Sequence, residues 1–149
     1  MVANISSGSS PGGALYYNKE KVDKDEAEVL YWQQMLEPFD RYGRLDVNAC
    51  MASFRPYLEA NRRTHNTVFH VSLNPSPEDK LTDGQLRDIA QEYMERMGYG
   101  NQPYIVFKHT DIDRHHLHIV SLRIDENGRK LPHLSLIHIS EPTRRTPIS

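Results

Sequence analysis

With 149 residues, 38% of them hydrophobic, 26% charged and eight of them tyrosine, the chain is long enough for one domain with a hydrophobic core and too rich in aromatics to be disordered. Its formal net charge of -2 argues against holding nucleic acid by bulk electrostatics, while leaving local basic patches open. A single cysteine, Cys50, excludes an internal disulfide and a cysteine-only metal cluster. No apolar run approaches the ~20 residues of a membrane span, and MVANISSGSSPGG has no signal-peptide pattern, so a cytoplasmic protein without membrane insertion is expected.

In chain order, residues 2 to 6 alternate like a brief strand and run into SSGSSPGG, which reads as a loop. The stretch ALYYNKEKVDKDEAEVLYWQQML has apolar positions at Val22, Ala27, Leu30, Tyr31 and Met35. These suggest a helix in its second half, ended by Pro38. A further helix is predicted over Val47 to Leu58, capped by Asp46, with Met51, Phe54 and Leu58 on one stripe and Pro56 disturbing its last turn. Cys50, beside Met51 and near Phe54, reads as a small buried residue.

TVFHVSLNP predicts a strand from Thr67 to Leu73, closed by a turn at NPSP. Thr82 and Gln85 have capping-box spacing, and Leu86, Ile89, Ala90, Tyr93 and Met97 recur at helical intervals until Gly98 and Gly100. QPYIVFKH and HHLHIVSLRID are two more strands, joined by the short segment 110–114, and ENGRK is a tight turn. Strands joined so briefly lie side by side. The expected fold is therefore α+β, an antiparallel central sheet with helices packed on it. The division expected is the N-terminal, incomplete part of one domain over 1–134 and a non-native or disordered tail over 135–149, SLIHISEPTRRTPIS.

The segment HTDIDRHHLHIV carries four of the chain's eight histidines. With Leu117 and Ile119 facing the core, His116 and His118 share the other face, because strand side chains alternate. Their Cβ atoms then lie roughly 6.5 to 7 Å apart, a gap two imidazoles can close around one ion. His109, at the end of the preceding strand, can join them, and three neutral ligands leave coordination positions open for water or a phosphate oxygen. A divalent metal is expected, Mg2+ or Mn2+, although three imidazoles also accept Zn2+ or Ni2+. Asp111 is the candidate to receive a ligand's outer N–H, and Asp113 a turn residue. His115 faces the wrong way. His70 reads either as a satisfied core histidine or as part of the site's lining.

HTDIDRHHLHIV resembles the third motif of plasmid and transposon mobilisation relaxases, the histidine-hydrophobic-histidine endonucleases. FHVSLNPSPEDKLTDGQLRDIAQEYMERMGYG resembles the strand and helix that precede it, and the likeness is to the relaxases of Bacteroides-type mobilisable elements. The resemblance implies a palm like that of relaxases and rolling-circle endonucleases, in which His109, His116 and His118 bind the metal. Many relatives have His-Pro where this chain has Arg114 and His115. It also implies site- and strand-specific nicking and rejoining of single-stranded DNA at a transfer origin, through a 5'-phosphotyrosine on a tyrosine of GALYYN. Tyr17 is the first choice, since Asn18 follows it, and Tyr16 is the reserve. Of such an adjacent pair, one is expected to pack inward. Accessory mobilisation proteins and a coupling protein are the implied partners, with Lys19, Lys21, Arg62, Arg63 and Lys108 as candidate phosphate contacts. The rival readings are a replication initiator, a transposase-type endonuclease or another metal phosphoesterase, and a non-catalytic DNA-binding domain.

Overall fold

A computed structural model describes residues 2–76, 80–110 and 116–132. Asp111, Asp113, His115, His133, His138 and the proposed boundary between 134 and 135 lie outside the described residues. The elements run β1 (Val2–Gly8), α1 (Pro11–Asp23), β2 (Ala27–Gln33), α2 (Val47–Ala60), β3 (Val68–Asn74), α3 (Asp83–Arg96), β4 (Tyr104–His109) and β5 (His116–Leu122). The five strands form one sheet in the order β1-β3-β5-β4-β2, and every neighbouring pair is antiparallel. This is the expected α+β architecture. None of the described helices is long and apolar enough to cross a membrane.

Alternation along the strands divides the core in two. Phe69, Val71, Leu73, Val106, Leu117 and Ile119 face α3, where Leu86, Ala90, Tyr93, Met94 and Met97 cover them. Val68, Ile105, Phe107, Val120 and Leu122 face the other way, onto Leu15 of α1 and Val47, Cys50 and Phe54 of α2. Each large apolar side chain so buried stabilises the fold by about 1.5–3 kcal/mol. Helix α3 starts as its sequence requires: the Thr82 hydroxyl accepts from the Gln85 N–H at 3.1 Å, and the Gln85 side chain accepts from the Thr82 N–H at 2.8 Å. Asp46 caps α2 through the Ala49 N–H.

The region before α2 departs from expectation. The turn or loop expected over SSGSSPGG shrinks to Ser9 and Ser10: β1 runs through Gly8, and α1 begins at Pro11. The Ser10 hydroxyl accepts from the Gly13 N–H at 2.9 Å, and proline at the first helical position has its φ already set for the helix. The helix expected in the second half of residues 14–36 is also wrong; the first half is helical, and AEVLYWQ is strand β2. Pairing with β4 overrides the apolar spacing, and a bulge between Val29 and Tyr31 breaks the alternation that would have shown a strand. Helix α2 runs through Pro56 to Ala60, two residues beyond the expected Leu58. One missing N–H costs a single ladder bond, and Phe54 anchors the helix two residues before Pro56. The buried stripe of α2 is Val47, Cys50 and Phe54, with Met51 and Leu58 only partly covered.

Candidate functional site

The α1-facing side of the sheet is apolar at one end and polar at the other. Register explains why. His109 stands directly opposite His116 across the β4–β5 ladder, and His118 stands opposite Ser72 on β3. The Thr110 N–H bonds to the Glu26 carbonyl at 2.8 Å, which extends the β2–β4 pairing just past His109 and fixes that strand end.

The three histidines expected to converge do so. One ring nitrogen from each of His109, His116 and His118 lies within 4.8 Å of the other two. Ring centroids are 3.9 Å apart for His109 and His118, 5.2 Å for His109 and His116, and 5.0 Å for His116 and His118. Two nitrogens bound to one ion at ~2.1 Å can be at most about 4.2 Å apart. Small side-chain rotations close the remainder, so the cluster is capable of coordinating a metal ion. The donor set fits a divalent cation with coordination positions left over for other ligands.

Helix α1 crosses this polar end and brings its own groups. Pro11, Leu15 and Asn18 are its buried residues, a stripe at helical spacing that turns Tyr16 and Tyr17 out together. The expectation that one of the two packs inward is therefore corrected: Tyr16 is 57% exposed and Tyr17 49%, and Leu15 occupies the inward position. Tyr17 is nevertheless at the cluster, with its ring centroid 6.4 Å from that of His109 and 6.5 Å from that of His118. Lys21, one turn on, holds its ammonium 5.9 Å from the Tyr17 ring centroid and pairs with Glu26 at 3.4 Å.

Asn18 is a site residue that reading the sequence did not single out. Fully buried, it donates from Nδ2 to the Ala14 carbonyl at 2.9 Å and places Oδ1 2.8 Å from His109 Nε2. A carbonyl can only accept, so the amide orientation is dictated by Ala14, and Oδ1 must then receive the proton on His109 Nε2. Its signal was the inward stripe of α1, legible only once that segment is taken as a helix.

His70 resolves toward the lining. Its Nε2 lies 3.1 Å from His118 Nδ1, its Nδ1 3.5 Å from the Ser6 hydroxyl, and burial lowers its pKa below the usual histidine value. With Ser6, Ser10, Tyr17 and Asn18 it lines a pocket of about 250 Å³ beside the cluster.

The basic residues do not gather in one place. Lys19 pairs with Asp23 at 3.1 Å on α1. Lys108 points to the α3 side of the sheet, opposite to His109; there the Asp83 carboxylate at 2.7 Å and Glu28 at 3.4 Å hold its pKa above the usual lysine value. Arg62 and Arg63 are exposed ahead of β3, at the end of the sheet away from His116, a strand length of roughly 20 Å.

Among known proteins, the family model described as relaxase, MobA/VirD2-like, nuclease domain matches residues 17–143, most of the chain. No curated protein matches it.

Proposed function

The chain belongs to the MobA/VirD2-like relaxase family, and on that premise we propose that it nicks and rejoins one DNA strand at a transfer origin, during plasmid or transposon mobilisation, through Tyr17. Membership of this nuclease family implies binding of single-stranded DNA, and the three-histidine cluster suits metal-dependent cleavage. The observation that carries the finer reading is the placement of an exposed tyrosine ring within 6.5 Å of two of the three histidines.

His109, His116 and His118 would hold a divalent ion, which would supply Lewis-acid polarisation of the scissile phosphate's oxygens. A tyrosine phenol is a weak nucleophile until the phosphate in front of it is activated, which is why its nearness to the histidines matters. Helix α1 carries the Tyr17 ring beside the histidines, and the Asn18–His109 bond ties that helix to β4, which supports a fixed spacing between nucleophile and ligands in this reading. The phenol oxygen forms a bond to phosphorus while the bond to the 3' oxygen breaks; the phenol proton departs and the 3' oxygen gains one. The product is a 5'-phosphotyrosine with a free 3'-hydroxyl. Its phosphoester retains the energy of the broken bond, so attack by a 3'-hydroxyl rejoins the strand without ATP. Among the described residues, Lys21, close to the Tyr17 ring, is the cation best placed to meet a backbone phosphate.

Metal binding tests the site. The protein binds one Mn2+ by titration calorimetry, and His116→Ala and His118→Ala each abolish binding. Unchanged binding in both variants overturns the assignment.

A further inference from the structure

The histidine cluster has a fourth member that no ligand set requires. His70 sits on β3 diagonally across from His118, since its own cross-strand partner on β5 is Val120 and on β1 is Ser6. Its ring stacks on His118 with centroids 5.2 Å apart and planes at 29°. The closest atoms are His70 Nε2 and His118 Nδ1, at 3.1 Å, and the far side of His70 meets Ser6 at 3.5 Å.

One proton lies between the two imidazoles, and its owner decides what His118 can do. If His70 donates, His118 carries its own proton on Nε2 and that nitrogen cannot ligate a metal. If His118 donates from Nδ1, its Nε2 has a lone pair. His70 must then be the neutral acceptor, with its own proton on Nδ1 directed at the Ser6 hydroxyl, which can accept it. Metal-ligating histidines characteristically donate their outer N–H to a fixed acceptor, which sets both tautomer and ring orientation.

We infer that His70 is a positioning residue for His118: it accepts the Nδ1–H of His118, backed by Ser6, and so turns the Nε2 lone pair of His118 toward the shared site of the three histidines. The inference rests on the metal-binding reading above. It makes the polar pair on β1 and β3 part of the metal centre, although neither residue ligates.

The test compares Mn2+ affinity by calorimetry in the wild type, His70→Leu, His70→Gln and His116→Ala, with circular dichroism confirming the fold. His70→Leu, which cannot accept a proton, weakens binding by about 10–100-fold. His70→Gln, whose amide oxygen can accept it, recovers most of the loss, whereas a merely structural role would give no such rescue. Affinity in His70→Leu equal to wild type, or His70→Gln as weak as His70→Leu, overturns the inference while His116→Ala still reports on the triad. Absence of Mn2+ binding by the wild type instead overturns the underlying metal reading. Should His70→Leu fail to fold, nitrogen-15 NMR of the wild-type imidazoles decides: a proton on His118 Nδ1 with His70 Nε2 bare supports the relay, and the reverse refutes it.

Discussion

Replacing Asn18 by alanine tests the tie between the helix that carries Tyr17 and the strand that carries His109. The substitution removes two hydrogen bonds from a side chain that is fully buried, and it takes from the His109 N–H an acceptor at 2.8 Å in a place where His109 is itself only 1% exposed. Depriving a buried donor of its acceptor costs about 1–3 kcal/mol, and loss of the Ala14 bond adds about 1 kcal/mol. We therefore expect a loss of about 2–4 kcal/mol in folding stability, equivalent to roughly 4–16 °C in Tm for a chain of this size. Urea denaturation measures it as a fall in midpoint at constant slope. Lys24→Ala, at an exposed position at the end of the same helix, is the control and should change stability by less than about 0.5 kcal/mol. If Asn18→Ala costs no more than that control, the amide does not hold His109, and the coupling of α1 to the cluster is wrong.

Gly128 and Gly43 both have positive φ, +80° and +79°, but a Cβ at Gly128 would lie 2.6 Å from the Ala60 carbonyl oxygen while nothing is within 4 Å at Gly43. Gly43→Ala should cost only the ~1–2 kcal/mol of the left-handed backbone, and Gly128→Ala clearly more, by the same denaturation measurement. Cys50 is buried and its thiol is pushed up to about 12 by that burial, with the Asp46 carboxylate adding to the effect. A thiol reagent should therefore label it only as fast as the protein unfolds. As pH rises past about 9 the unfolded chain loses this proton and the folded one keeps it, so the Cys50 contribution to stability declines. A Cys50→Ser variant should show a shallower alkaline loss. Thr82→Ala, which removes the hydroxyl that accepts from the Gln85 N–H and leaves the backbone half of the α3 capping box in place, should cost about 1 kcal/mol.

What could be read from residues alone follows a physical division. Helix α3 was legible because its cap and its apolar stripe agree. The histidine cluster was legible because alternation on β5 and a short connection from β4 leave His109, His116 and His118 little choice of face. Helix α1 and strand β2 were not, because their identities are set by tertiary pairing: Ser10 and Pro11 start a helix in a run that otherwise looks like a loop, and the bulge after Val29 hides a strand. That misreading also concealed Asn18, whose inward position has meaning only on a helix. The outward turn of both tyrosines escaped for the same reason. His70 could be placed on a strand, but which polar group it would meet depended on the β3–β5 register, which residue patterns do not give.

The central claim is that Tyr17 attacks DNA beside the metal-binding histidines, and covalent capture tests it most directly. The protein is incubated with Mn2+ and a random-sequence single-stranded DNA library; denaturant-resistant adducts are digested, and the linked peptide is identified by mass spectrometry. The account predicts a 5'-phosphate on Tyr17, absent in Tyr17→Phe and in His118→Ala. Cleavage without an adduct, or an adduct on Tyr16 or any other tyrosine, would contradict it.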